Sequence, residues 1–230
     1  AVGSAIRGDS RGREVMRVLP RINEAINEEW ISDKTRFIWD GLKSQRLDRP
    51  YLRKSGKLQA ATWEEALAAV ATKVKKAGSK VGAIAGDLAA VEEMYALKGL
   101  LASIGSGMTD VRPAMSGIDP SMPRSAYLFN PTIAGIERAD AILIIGANPR
   151  KEASLINARI RKTWRATNLP IAVIGEQADL TYAYDYLGSG FETLADLAAG
   201  KGAFAETLKN AKRPLIIVGE GAVSHADLGK

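Results

Sequence analysis

"DAILIIGANPRKEASLINARIRKTW", Asp140–Trp164, is the stretch on which the fold turns. Ala141–Ile145 is an apolar run with no polar alternation, as expected of a strand buried on both faces. Gly146-Ala147-Asn148-Pro149 reads as a tight turn, and Arg150–Thr167 as a helix. In an open parallel sheet, ligands lie beyond the C-terminal ends of strands, and Gly146 stands at such an end. Glycine lets backbone approach an anion closely. Asn148 can bond backbone or ligand, and Pro149 suits the first helical turn because it has no N–H to lose. The helix amides behind them favour phosphate, and Arg150 and Lys151 add formal charge. After the next strand, Gly175 occupies the place of a ribose-binding acid, with Glu176 beside it as a substitute. Gly146, Asn148, Pro149 and Glu176 are therefore the candidate cofactor-binding residues. Neither G-x-G-x-x-G nor a Walker loop is present. On local chemistry the turn reads either as a nucleotide holder or as a plain strand-to-helix turn with good helix-start residues.

Working outward, the same alternation of helix and strand repeats. Thr62-Trp63-Glu64-Glu65 is a capping box. It opens a helix with Leu67, Val70, Val74 and Ala77 at helical spacing, ended by Gly78. Val81–Gly86 reads as a strand. Ala90–Gly105 reads as a second amphipathic helix with Val91, Met94, Leu97 and Leu101 inward. "MTDV" is a candidate short strand, and Ile133–Ala139 a short bridge. Ile171–Ile174 and Leu215–Val218 read as further strands, with a helix at Phe204–Ala211 between them. "EQADLTYAYDYLGSGFET" reads as irregular. This order predicts βαβ units, a mostly parallel Rossmann-like sheet and helices on both faces: an α/β fold.

The segment over 1–57 differs. Glu14–Leu19 reads as a strand stopped by Pro20. Trp30, Ile31, Phe37, Ile38 and Trp39 read as buried anchors. Arg46–Trp63 looks extended, with a Ser55-Gly56 turn. The expected organisation is a small, irregular, β-rich region over 1–57, followed by an α/β domain over 58–230 that is truncated at its C-terminus.

Composition removes several classes of function. The 230 residues contain no cysteine, which excludes disulfides and cysteine-ligated metal within them. A single histidine, His225, excludes a His-rich site and leaves a serine–histidine hydrolase poorly supported. No apolar run approaches the ~20 residues of a membrane span. The net charge of +6 is spread among acids. Its densest run, Arg159, Arg161, Lys162 and Arg165, reads as a solvated helix face. Nucleic-acid binding through that face is the alternative. The chain starts Ala-Val-Gly without a signal or transit peptide, which suggests a piece of a longer polypeptide.

Several stretches together resemble a known family. "N-x-x-x-I-S-x-K-x-R-F" at Asn27–Phe37, "R-L-x-x-P-x-x-R" at Arg46–Arg53 and "W-x-E-A-L" at Trp63–Leu67 are similar to the segment of molybdopterin oxidoreductases that follows their iron–sulfur domain. "D-x-x-x-x-x-G-x-N-P" at Asp140–Pro149 resembles the family's pterin-nucleotide loop. Gly12–Phe37, Thr132–Asp140, Asn148–Lys162 and Asp179–Gly188 look like one branch, the large iron–sulfur subunit of NADH:quinone oxidoreductase, respiratory complex I.

The resemblance implies a part lying after the cluster-binding region, whose clusters sit on cysteines missing from these residues. It implies a scaffold that holds no metal and has lost its molybdopterin. Its partners would be other complex I subunits and the cluster-binding domain of its own chain, docked on the exposed face of residues 1–57 with Trp30, Phe37 and Trp39 unless these are core of the local fold, with no nucleic acid. Membrane association would come only through the complex, on the cytoplasmic face of a bacterial inner membrane or the mitochondrial matrix side. Active family members place a metal ligand in the loop corresponding to Met108–Pro131. Here Ser116, Asp119, Ser121 and Ser125 are the conceivable ligands, read more simply as loop polar residues. Gly175 replaces the acid that binds the nucleotide base. An active molybdopterin enzyme and a free-standing nucleotide-binding module are the alternatives.

Overall fold

The computed structural model describes residues 2–86, 88–111 and 121–224. The chain divides into two compact units, Ala1–Ser44 with Ser116–Lys230, and Gln45–Met115.

The first unit opens with a hairpin, β1 (Ile6–Arg11) and β2 (Glu14–Pro20), paired antiparallel. The strand expected at Glu14–Leu19 is thus found, with a partner that the sequence pattern did not announce. A short helix α1 (Asp33–Phe37) follows, capped by the Ser32 side chain, then a 3-10 turn over Ile38–Lys43. Only Ile31 of the five expected anchors is buried. Trp39 is half-buried, whereas Trp30, Phe37 and Ile38 are about 60% exposed. These short elements lean on a single two-stranded ribbon, which has too little surface to cover five large side chains.

The second unit holds a hairpin of β3 (Tyr51–Lys54) and β4 (Lys57–Ala60), turned at Ser55 and Gly56 with φ of 50° and 80°. Helix α2 (Trp63–Ala77) starts with the expected capping box. The Glu65 N–H donates to Thr62 Oγ1 at 3.2 Å and the Thr62 N–H to Glu65 Oε2 at 2.9 Å. Strand β5 (Ala83–Ile84) pairs in parallel with β6 (Thr109–Asp110) across α3 (Val91–Ser103). The strand expected over Val81–Gly86 shrinks to two residues. Leu101 is buried as expected and Met94 and Leu97 are half-buried, but Val91 is 77% exposed. A two-residue parallel pair is too small to reach the first turn of α3.

The main sheet lies in the first unit. β7 (Ala141–Ile145) is followed by α4 (Pro149–Glu152), α5 (Ser154–Thr167) and β8 (Ile171–Ile174). Then come β9 (Asp185–Gly188), α6 (Phe191–Ala198), α7 (Ala203–Asn210), β10 (Pro214–Val218) and the single turn α8 (Glu220–Val223). The strand order is β10-β7-β8-β9, all parallel. The helix expected over Arg150–Thr167 breaks at Ala153, whose φ and ψ of −145° and 65° are not helical. The stretch expected to be irregular supplies β9 and the start of α6.

All residues of β7 and β8 are buried. Alternation sends Ile142, Ile144, Ile171 and Val173 to one face, against Ile160 of α5 and Ile136. It sends Leu143, Ile145, Ala172 and Ile174 to the other, against Phe204 of α7. Each large side chain removed from water here contributes about 2 kcal/mol. Helices thus cover both faces, as the apolar strands require.

Candidate functional site

The four parallel strands end at one edge, where Gly146, Gly175 and Gly219 follow β7, β8 and β10, and Gly188 ends β9. β10 lies on the opposite side of β7 from β8. The boundary between β7 and β10 is therefore where chain direction reverses, the place where open α/β sheets leave a ligand crevice.

In this chain the crevice is filled by backbone. The Gly219 N–H donates to the Ile145 carbonyl at 2.8 Å and the Gly221 N–H to the Gly146 carbonyl at 3.0 Å. Gly146 has φ of 59°, and a Cβ there would lie 2.3 Å from the Ala222 nitrogen. A Cβ on Gly219 would lie 2.4 Å from the Ala147 Cβ. These glycines let one segment of the chain lie on another. A phosphate at Gly146 would have to displace the segment Gly219–Ala222.

Asn148 and Pro149 carry out helix-start chemistry. The Asn148 side chain accepts from the Lys151 N–H at 3.3 Å, and the Asn148 N–H donates to Glu152 Oε1 at 2.7 Å. This reciprocal pair satisfies two donors that an anion would otherwise take. Pro149 is the first helical residue and is buried. Arg150 points to Asp179, donating to its Oδ2 at 2.6 Å and to its backbone carbonyl at 2.9 Å. Glu176 is exposed on the loop after β8. Gly146, Asn148 and Pro149 thus sit together in one turn, and Glu176 belongs to the neighbouring loop. The backbones of those loops meet, since the Gly146 N–H donates to the Ile174 carbonyl at 2.8 Å.

The loop between β8 and β9 is held by tyrosines. The Tyr182 hydroxyl donates to Asn157 Oδ1 at 2.9 Å, and Asn157 Nδ2 donates to the Leu180 carbonyl at 3.0 Å. Burial pushes the Tyr182 hydroxyl above its ordinary range, so it stays a neutral donor. The Tyr184 hydroxyl donates to the Ala178 carbonyl at 2.6 Å, and that of Tyr186 to the Gly175 carbonyl at 2.9 Å.

Arg159 departs from the solvated face expected of it. It is 3% exposed and paired to Glu137 at 2.6 Å. It also donates to the backbone carbonyls of Glu24 and Ile26 at 2.9 and 3.2 Å. Lys162 bridges Glu28 and Glu137. Asn27, 2% exposed, holds the same loop: its Nδ2 donates to the carbonyls of Arg21, Glu28 and Trp30, and its Oδ1 accepts from the Ala5 N–H at 2.8 Å. These residues tie the N-terminal segment to α5. A single buried arginine in a basic helix has no local sequence signature, so only the long-range fold reveals it.

Of the conceivable metal ligands, Ser116 and Asp119 lie outside the described residues, as does His225. Ser121 and Ser125 are exposed. Among the described residues no three His, Asp or Glu side chains gather as metal ligands would. Among them, too, no helix is long and apolar enough to cross a membrane.

Comparison with known proteins agrees with the motif reading. The family model for molybdopterin oxidoreductase matches residues 46–230. A model for the NADH-ubiquinone oxidoreductase NDSU1/NuoG-like 4Fe-4S domain matches residues 1–40, a stretch without cysteine. The chain is 53% identical over 228 residues to the G subunit of NADH-quinone oxidoreductase from Rickettsia bellii, covering 99% of this chain and 33% of that one. It is 48% identical to the mitochondrial NADH dehydrogenase [ubiquinone] iron-sulfur protein 1 of Solanum tuberosum, covering 99% and 31%. It is 45% identical to the mitochondrial NADH-ubiquinone oxidoreductase 78 kDa subunit of Neurospora crassa, covering 98% and 31%. The chain spans about a third of the length of these relatives. With the glycine-ended parallel strands of its main sheet and a family match over 46–230, the chain belongs to the molybdopterin oxidoreductase family.

Proposed function

We propose that this chain is the portion following the cluster-binding region in the large iron–sulfur subunit of an NADH:quinone oxidoreductase. It acts there as a cofactor-free scaffold for electron transfer from NADH to quinone. The electrons run through iron–sulfur clusters held by cysteines elsewhere in the longer polypeptide. The chain has no catalytic residue of its own. Its partners are the cluster-binding domain and the other subunits of the complex. The assembly lies peripherally, on the cytoplasmic face of a bacterial inner membrane or the matrix side of a mitochondrial one. The division into a β-rich segment over 1–57 and an α/β domain over 58–230 belongs to the same reading.

The observation that carries the scaffold reading is the seal at the β7–β10 boundary. Gly146, Asn148 and Pro149 keep the form of a pterin-nucleotide loop, with Glu176 near it. Backbone from Gly219–Ala222 lies within bonding distance of that turn. Its helix-start donors are taken by Asn148 and Glu152. The residues present do not fit a bound dinucleotide without opening this contact. The similarity to the rickettsial NADH-quinone oxidoreductase protein and to the mitochondrial iron–sulfur proteins supports the choice of complex.

The test is the molybdenum, tungsten, pterin and iron content of the full-length protein, purified from its own host. Iron without molybdenum, tungsten or pterin is the expected result. Stoichiometric metal with a fluorescent oxidised pterin would identify an active molybdopterin enzyme and overturn the reading.

A further inference from the structure

A groove of about 700 Å³ runs along α5 beside Trp30, in the size range of ligand clefts. Four cations line it: Arg150, Arg161, Lys162 and Arg165. Arg150 is neutralised by Asp179, and Lys162 by Glu28 and Glu137. Arg161 and Arg165 are exposed and have no anionic partner among the described residues. They stand four residues apart, so both guanidinium groups project on one side of α5, one turn from each other. Among the described residues no carboxylate lines the groove. Trp30, 59% exposed, gives it an aromatic wall.

We infer that this groove receives a short acidic segment of another polypeptide, which places two carboxylates on Arg161 and Arg165 and an apolar side chain against Trp30. Guanidinium forks suit carboxylates in bidentate pairs. Tryptophan and arginine are the residue types that dominate binding at protein interfaces. The cationic stretch is short and bounded by acids, with Asp179 beyond Arg150 and Glu28 and Glu137 beyond Lys162. A nucleic-acid backbone, with its regular run of phosphates, would meet those acids on leaving the two arginines. A segment with two or three acidic residues would not. The inference rests on the proposed place of the chain in a multisubunit assembly.

The experiment places a benzoylphenylalanine photo-crosslinker at Ala158, an exposed residue of the groove, in the full-length protein within its host. Adducts are identified by mass spectrometry wherever the full-length chain is recovered. The expected adduct is a peptide of another polypeptide with at least two Asp or Glu residues within about five positions. Its yield should fall at least tenfold in R161E/R165E and only in part in R161K/R165K, which keeps the charge but not the fork. Should the reversal variant fail to fold, R161Q/R165Q replaces it and should show the same loss. Adducts to a neutral or basic peptide, to another part of the same chain or to nucleic acid would overturn the inference. So would an adduct indifferent to charge reversal, or none. Co-purification of the full-length chain with NADH:quinone oxidoreductase activity is scored separately. If it co-purifies without the adduct, the groove inference alone fails; if it does not co-purify, the reading of the assembly fails.

Discussion

The guanidinium of Arg159 sits under the loop of residues 23–28 with its side chain 4% exposed. It faces the carboxylates of Glu137 at 2.6 Å and Glu28 at 3.8 Å, and two carbonyls. Deleting this buried arginine leaves two carbonyls and two part-exposed carboxylates short of donors, which costs about 3 kcal/mol, the low end for a broken buried pair. Arg159→Ala should therefore lower the unfolding free energy by about 3 kcal/mol in a denaturant titration. Arg159→Lys should recover little, because one ammonium cannot reach partners on both sides of a planar fork. A loss under about 1 kcal/mol would mean that Arg159 behaves as a surface charge. Asn148→Ala is a smaller change of another kind. Loss of a helix cap costs about 1 kcal/mol, and the proposed scaffold role predicts no nucleotide affinity to lose with it. A thermal-shift screen with nucleotides should respond identically in wild type and variant. The cap was legible in the sequence, since Asn-Pro before a helix announces it. The seal over Gly146 was not, because the atoms that close it belong to Gly219–Ala222, more than seventy positions along the chain.

β7 and β10 meet only in three dimensions, and Asp140 fixes their register. Its carboxylate accepts from the backbone N–H groups of Lys212 at 2.8 Å and Arg213 at 2.9 Å. Partial desolvation works against the charged carboxyl, but the N–H groups of Arg213 and Lys212 outweigh it and hold its pKa below 3.8. A depressed folded-state pKa gives stability that is present above the unfolded value and lost as pH falls through the folded one. Asp140→Ala should thus be less stable than wild type at neutral pH. The gap should close as pH drops below about 3.8, the unfolded carboxyl value. A gap that stays constant down to acid pH would show that the carboxylate charge contributes nothing to this joint. Strands of this kind read well from sequence: β7 and β8 are unbroken apolar runs and lie where expected. β9 did not, because a four-residue strand carrying Asp185 and Tyr186 has neither a full apolar run nor clean alternation. The break at Ala153 was also hidden, since Ala153 is a good helix former and nothing local requires it to leave the helical region.

At the scale of the whole chain, α2 and α5 make a controlled comparison. They have fifteen and fourteen residues. An isolated helix of that length is marginal in water whatever its propensity. Packing is what separates them: α5 buries Leu155, Asn157, Arg159, Ile160 and Thr163, and α2 buries none of its residues. Its apolar stripe is in view, with Leu67 60% and Val70 55% exposed. The sequence announced both helices through capping and periodicity, but periodicity reports only that a helix has an apolar face, not that the chain supplies a surface to cover it. Amide exchange measured on the 230-residue chain should follow the packing. The mid-helix amides of α5 should open only with the main sheet, while those of α2 should exchange about a hundredfold faster through local opening. Equal protection of the two helices would sink this account, because it would mean that α2 draws its stability from a surface the described residues do not present. The hundredfold gap is the modest yield of about 2.7 kcal/mol, roughly what burying one or two large apolar side chains provides.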